Sequence, residues 1–160
     1  RTVPREEYRN YPTYAYATQV AIIGVDEAPG RVDVLRVIAA HDCGVAINPQ
    51  QIRGQLIGSV SMGQGYALSE AYPTEKGRPP WRRLDYRRLG VPTSLTATSV
   101  RVEIVEDPFP EGPYGAKGIS EIATVPSTPA ILNAIHDATG VRVHDLPADP
   151  NLLKERLAAG

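Results

Sequence analysis

The sequence has one cysteine, Cys43, so no disulfide can form within the chain, and a cysteine-rich zinc site would need ligands from elsewhere. A reducing cytoplasm is the compartment this fits. Long apolar runs are missing too. None approaches the roughly 18 to 20 residues that a membrane helix needs, and the N-terminus lacks the basic-then-apolar order of a signal peptide. There is no excess of either charge: 17 basic and 18 acidic residues leave a net charge of −1, so no global field draws the chain to a phosphate backbone or an anionic membrane. The local basic cluster Arg78, Arg82, Arg83, Arg87 and Arg88 has no series of stacking aromatics through it, and reads as a solvated strip or partner contact rather than a nucleic-acid surface.

Several motifs of common enzymes are also absent: no phosphate-cradling Gly-Lys-Ser/Thr loop, no His-Glu-x-x-His and no Gly-x-Ser-x-Gly. Gly63-Gln64-Gly65 resembles a dinucleotide loop only superficially, because no strand leads into it and the third glycine is lacking. His41, Asp42 and Cys43 are consecutive, and adjacent strand residues point to opposite faces, so they cannot all reach one metal ion. His136 and His144 stand alone, as helix-face or turn residues. The sequence by itself yields no metal ligand.

What is present is ordinary globular material, 42% hydrophobic and 22% charged, of a length that suits one core. The chain opens on Arg1 and its single methionine is Met62, so it reads as a piece of a longer protein, capable of holding half of a site. Alternating Ala, Val, Ile and Tyr from Tyr14 to Val25, the turn signal Asp26 to Gly30, and a second alternating run from Arg31 to Ala40 predict a β-hairpin. After Asn48-Pro49, taken as a breaker, the apolar spacing of Ile52, Leu56, Ile57, Val60, Tyr66 and Leu68 predicts a helix over Gln50 to Ala71. That helix carries Gly54, Gly58, Gly63 and Gly65, each costing about 1 kcal/mol relative to alanine, a density that close packing or close ligand approach would explain.

A connection rich in Pro, Arg and Gly fills 73 to 92, a strand is expected over Thr96 to Val105, and DPFPEGPYGAKGIS at 107 to 120 is too dense in Pro and Gly for regular structure. A helix from Pro129 to Thr139 should end at Gly140, followed by a short strand near Val141 to Val143 and a helix from about Asn151 to Leu157. The fold class is α+β: a β-hairpin and further strands packed with a glycine-rich helix and C-terminal helices. Glu121 follows the glycine-flanked loop and precedes Ile122-Ala123. A carboxylate there can be pushed into an apolar pocket, where desolvation would raise its pKa toward that of a general base; alternatively it is a first-turn glutamate favoured by the helix dipole.

Three blocks, HDCGVAINPQQIRGQLIGSVSMGQGYALSE at 41 to 70, GPYGAKGISE at 112 to 121 and PAILNAIHDATGVRVHDLPADP at 129 to 150, together with the preceding VAIIGVDEAPGRVDVLRVIAA, occur in the order found in one family. The chain resembles the C-terminal part of the molybdopterin-binding subunit of the xanthine dehydrogenase, aldehyde oxidoreductase and carbon monoxide dehydrogenase family. The resemblance implies that residues 1 to 160 are the C-terminal portion of a larger molybdenum-cofactor-binding domain whose upstream portion is missing. It implies that Asp42, Gly44, Asn48 and Pro49 shape the approach to the glycine-rich helix, where Gln55 hydrogen-bonds the pterin with an amide that both donates and accepts. It also implies that Gly115, Ala116, Lys117, Gly118, Ile119 and Ser120 lay backbone against the cofactor and present Glu121 as the base. Ser120 stands where the family often has glycine.

The implied reaction is hydroxylation of an aldehyde or N-heterocycle C–H bond with oxygen from water. The implied cofactor is molybdenum-molybdopterin, plain or as the cytosine dinucleotide, with iron-sulfur clusters and FAD carried on partner domains or chains. The partners implied are the remainder of the subunit, those electron-transfer parts, a small-molecule substrate and an oligomeric assembly, but no nucleic acid and no membrane. The isolated piece would be inactive. A non-catalytic assembly or interaction module that kept the fold is the alternative.

Overall fold

A computed structural model describes residues 13–72 and 86–159. The hairpin forms as its alternation predicts. Strand β1 (Ala17–Asp26) pairs antiparallel with β2 (Arg31–Asp42), from Ala17↔His41 to Asp26↔Arg31, with a register shift at Ile22/Ile23. The turn closes with Gly30 at φ 71°, its N–H donating to the Glu27 carbonyl at 3.2 Å. A third strand, β3 (Ser99–Val105), pairs parallel to β2, completing a sheet of order β1-β2-β3. A parallel neighbour needs a long crossover, and helix α1 (Pro49–Leu68) lies within it.

Asn48-Pro49, expected to break structure, instead starts α1. The Asn48 side chain accepts from the Gln51 N–H at 3.1 Å and Pro49 occupies the first turn, where its missing N–H is no loss. We expect Asn48→Ala to cost about 1 kcal/mol in denaturant unfolding, the typical worth of such a cap; an unchanged midpoint would show that the cap is immaterial. The helix stops three residues short of the expected Ala71, because the Gly65 carbonyl takes both the Ser69 and the Glu70 N–H.

Helix α1 lies on the sheet. Val60 packs with Val37 and Ala39, Leu56 and Ile52 with Val102 and Cys43, and Ala67 with Ile131 and Ile135 of α2 (Ser127–Thr139). Its four glycines do two different jobs. A Cβ at Gly63 would overlap Ser127, and one at Gly65 would sit 2.7 Å from Pro92 Cδ, so these two permit close packing inside the chain. Gly54 and Gly58 have nothing within 4 Å of an added Cβ and face open space beside exposed Ile57 and Met62. Of the two explanations for the glycine density, close packing within the chain thus applies to Gly63 and Gly65 and not to Gly54 and Gly58.

Helix α2 ends at Gly140, which is left-handed at φ 72°. The strand expected at 141–143 does not form. That segment has no regular structure, and Val143 instead buries its side chain with Ala148 and Leu153. Leu153 belongs to α3 (Pro150–Ala159), close to the expected span. Strand β3 starts at Ser99 rather than Thr96, because Thr96 is held in a turn by its N–H on the Thr93 carbonyl at 3.0 Å. Of the basic cluster, Arg78, Arg82 and Arg83 lie outside the described residues, as does most of the 73–92 connection; Arg87 and Arg88 sit in a turn. No helix among the described residues is long and apolar enough to cross a membrane.

Candidate functional site

Where β2 ends, the chain must leave the sheet and turn into α1, and Gly44 makes this possible with φ 66°. Here the loop after β3 docks. Gly44 and Ala116 form an isolated antiparallel bridge, Val45 N–H donates to the Gly115 carbonyl at 2.9 Å, and Lys117 N–H donates to the Cys43 carbonyl at 2.9 Å. The same Gly115 carbonyl also takes the Phe109 N–H at 3.0 Å, closing the Pro/Gly-rich loop on itself. That loop is irregular as expected, apart from single 3-10 turns at Pro113–Gly115 and Glu121–Ala123.

Between this loop and the first turns of α1 lies a cleft of about 430 Å³. Cys43, Val45, Ile47, Ile52 and Ile119 form its apolar wall, and Asn48, Gln51, Gln55 and Ser120 supply the polar groups, with Ala116 and Lys117 completing the lining. Gln51 and Gln55 share a face of α1 because they are four residues apart, and both are exposed. Of the residues expected to hold a cofactor, Gln55, Ala116, Lys117, Ile119 and Ser120 therefore meet at one cleft. Gly115 and Gly118 do not line it: the Gly115 carbonyl is taken up by backbone pairing, and Gly118 is exposed with nothing within 4 Å of an added Cβ.

Glu121 comes directly after cleft-lining Ser120 but does not line the cleft. It is exposed and opens the second 3-10 turn, its carbonyl accepting from the Thr124 and Val125 N–H groups, and no described residue hydrogen-bonds its carboxylate. The apolar pocket expected around it is not provided by the described residues.

The Lys117 side chain goes elsewhere than the cleft. Its Nζ is 2.7 Å from Asp42 Oδ2 and 2.8 Å from Asp107 Oδ2; the lysine and Asp42 side chains are each 4% exposed, while Asp107 is 70% exposed. Neither aspartate lines the cleft. Hydrogen bonds to Asp107 and Asp42 raise the Lys117 pKa above its ordinary value. Burial pushes the Asp42 carboxyl up, but the Lys117 hydrogen bond and the Gly44 N–H donating to Oδ1 at 2.8 Å outweigh it, leaving the carboxyl below its ordinary value. Asp107 and the pairing of Asp42 were not visible in the sequence, because nothing local marks a partner 75 residues away.

The consecutive His41, Asp42 and Cys43 diverge as strand geometry requires. His41 is fully buried with its pKa lowered by desolvation; its Nε2 lies 2.9 Å from Gln19 Nε2, and Gln19 Oε1 accepts from Ser127 Oγ at 2.7 Å. Burial raises the Cys43 thiol pKa. His136 is half-buried on α2, and His144 is exposed beyond it. Among the described residues no three His, Cys, Asp or Glu side chains are grouped to hold a metal.

The sequence profile of the molybdopterin cofactor-binding domain matches residues 2–90, more than half of the chain. The aldehyde oxidoreductase molybdenum-binding subunit PaoC of Escherichia coli K12 is 31% identical over 150 residues, which is 93% of this chain and 20% of that protein. A probable xanthine dehydrogenase component of Bacillus subtilis is 30% identical over 98% of this chain and 21% of its own length. The solved structure of the aldehyde oxidoreductase from Desulfovibrio gigas superposes with a TM-score of 0.83 at 32% identity, covering 92% of this chain and 16% of that one. The chain thus spans about a fifth of the length of these curated relatives. With the α+β fold and these likenesses in agreement, the chain belongs to the molybdopterin cofactor-binding domain family and is similar to a part of the molybdenum-binding subunits of aldehyde oxidoreductases and xanthine dehydrogenases.

Proposed function

We propose that this chain completes the cofactor site of a molybdenum hydroxylase, in which Glu121 is the general base for oxygen insertion from water into a C–H bond of an aldehyde or N-heterocycle. The observation that carries this is the cleft itself: Ala116, Lys117, Ile119 and Ser120 line one side and the Gln55 face of α1 the other. The donor set fits a pterin. Gln51 and Gln55 are exposed amides, each able to donate and accept along a heterocycle edge, and Ser120 adds a hydroxyl. Gly54 and Gly58, with open space over them, let a flat ring or a partner's backbone come against the helix.

When bound, molybdenum-molybdopterin, plain or as the cytosine dinucleotide, supplies two-electron redox chemistry. The chain's own residues position and deprotonate. Gln55 orients the ring edge, the segment from Ala116 to Ser120 sets its distance, and Glu121 accepts the proton that water loses as its oxygen attacks an electron-poor carbon; the hydrogen of the broken C–H bond leaves with its electron pair, which the bound cofactor would take up. Glu121 is exposed here, so the apolar surroundings that would tune it come from the remainder of the subunit. That remainder, together with iron-sulfur and flavin domains or subunits in an oligomeric assembly, is the partner set of this reading.

The decisive experiment is Gln55→Ala in the complete subunit, with molybdenum per subunit and thermal midpoint measured on the same samples. An exposed residue without a side-chain partner among the described residues should shift stability by no more than about 0.5 kcal/mol. We expect molybdenum content to fall while the midpoint stays. Full molybdenum content would make Gln55 a surface residue and remove the cleft assignment, leaving an interaction module as the better description.

A further inference from the structure

Lys117 lines the cleft, yet its charged end is committed elsewhere. Two backbone hydrogen bonds join 115–117 to 43–45, Val45 N–H on the Gly115 carbonyl and Lys117 N–H on the Cys43 carbonyl, and together they make the Gly44·Ala116 bridge. Both lie within one short stretch, too few to hold a Pro/Gly-rich loop firmly by backbone pairing alone. The ion pair supplies what is missing. Asp42 is the last residue of β2 and is held by the Gly44 N–H, so it is anchored to the sheet, while Lys117 belongs to the loop. Both side chains are 4% exposed, so water competes little for the bond and salt screens it little. Asp107, 70% exposed, closes the other side of the ammonium and ties in the end of the segment after β3.

We propose that Lys117 and Asp42 are positioning residues: their buried ion pair sets where the 116–120 segment stands relative to α1, and so sets the shape of the cleft without either charged group touching the ligand. This rests on the cleft being the pterin site. A side chain that acts on a cofactor through another group costs about 10- to 100-fold in affinity or activity when removed. The ion pair is intact at neutral pH, since the lysine's pKa is raised and the aspartate's is lowered.

The test uses the complete enzyme with Lys117→Met, which keeps the length of the side chain and removes its charge. A single change strands a buried carboxylate, so the double variant Lys117→Met/Asp42→Asn, neutral on both sides, is measured beside it. Molybdenum per subunit, kcat/KM and amide exchange of peptides covering 43–46 and 115–118 are the readouts. We expect both variants to lose about 10- to 100-fold in cofactor affinity or kcat/KM. Exchange should accelerate in those two peptides but not across β1, β2 and β3, with the thermal midpoint of the double variant closer to wild type than that of the single. Wild-type molybdenum and kcat/KM in the double variant would overturn the proposal, and so would exchange that accelerates equally throughout the sheet, which marks a purely structural pair. Gln55→Ala keeps the two claims apart: if it lowers molybdenum while the double variant does not, the clamp is overturned and the cleft assignment stands; if it leaves molybdenum unchanged, the cleft assignment fails and the clamp's role toward the cofactor fails with it.

Discussion

Replacing Glu121 by glutamine in the complete enzyme is expected to lower turnover by about 10²- to 10⁴-fold, the usual contribution of a general base, while cofactor content and folding stay intact. The separation of the two effects follows from the local structure. Glu121 is exposed, its carboxylate has no hydrogen-bond partner among the described residues, and what it gives to the fold is its backbone carbonyl, which caps the 3-10 turn through Thr124 and Val125 and is the same in glutamine. The amide keeps the shape and loses only the ability to take a proton. Steady-state kcat on samples of known molybdenum content is the measurement. A glutamine variant that turns over at the wild-type rate removes Glu121 from the mechanism.

Gly44→Ala is expected to be the most damaging small substitution near the cleft. At φ 66° an L-residue is strained by about 1–2 kcal/mol, and the new Cβ would overlap the Gly115 carbonyl oxygen while standing 2.8 Å from Lys117 N and 3.0 Å from the Ala116 carbonyl carbon. These are backbone atoms, which cannot swing aside as a flexible side chain could. Overpacking of this kind adds about 1–3 kcal/mol, so a total of about 2–5 kcal/mol is expected unless the loop lifts away. Either outcome is visible: the thermal midpoint drops, or the midpoint holds and molybdenum content falls because one wall of the cleft has moved. A variant normal in both would show that the two segments do not approach as closely as described.

Both substitutions fall in a region whose parts were unequally legible. The hairpin, α1, β3, α2 and α3 follow from alternation, helical spacing and Gly140, because those signals arise from hydrogen bonds and side-chain periodicity within about ten residues of each other. The ordered blocks around Asp42, Gln55 and Glu121 indicated the family, and the family profile over residues 2–90 agrees. Gln55 and four residues of 116–120 do line one cleft.

Other features required the folded chain. Periodicity cannot tell which of α1's glycines touch a neighbour; only the approach of Ser127 and Pro92 separates Gly63 and Gly65 from the open Gly54 and Gly58. Val141 to Val143 has the β-branched composition of a strand, yet its apolar side chains pack into the cluster with Ala148 and Leu153 and no ladder forms. Glu121 lies beside the site in the sequence, yet burial depends on what surrounds it in space, and the described residues leave it in solvent. The sequence alone determined the local elements and the family. The joining of Lys117 to Asp42, 75 positions apart, was decided by the tertiary structure, because an ion pair at that separation exists only once the sheet and loop return the chain to the same place.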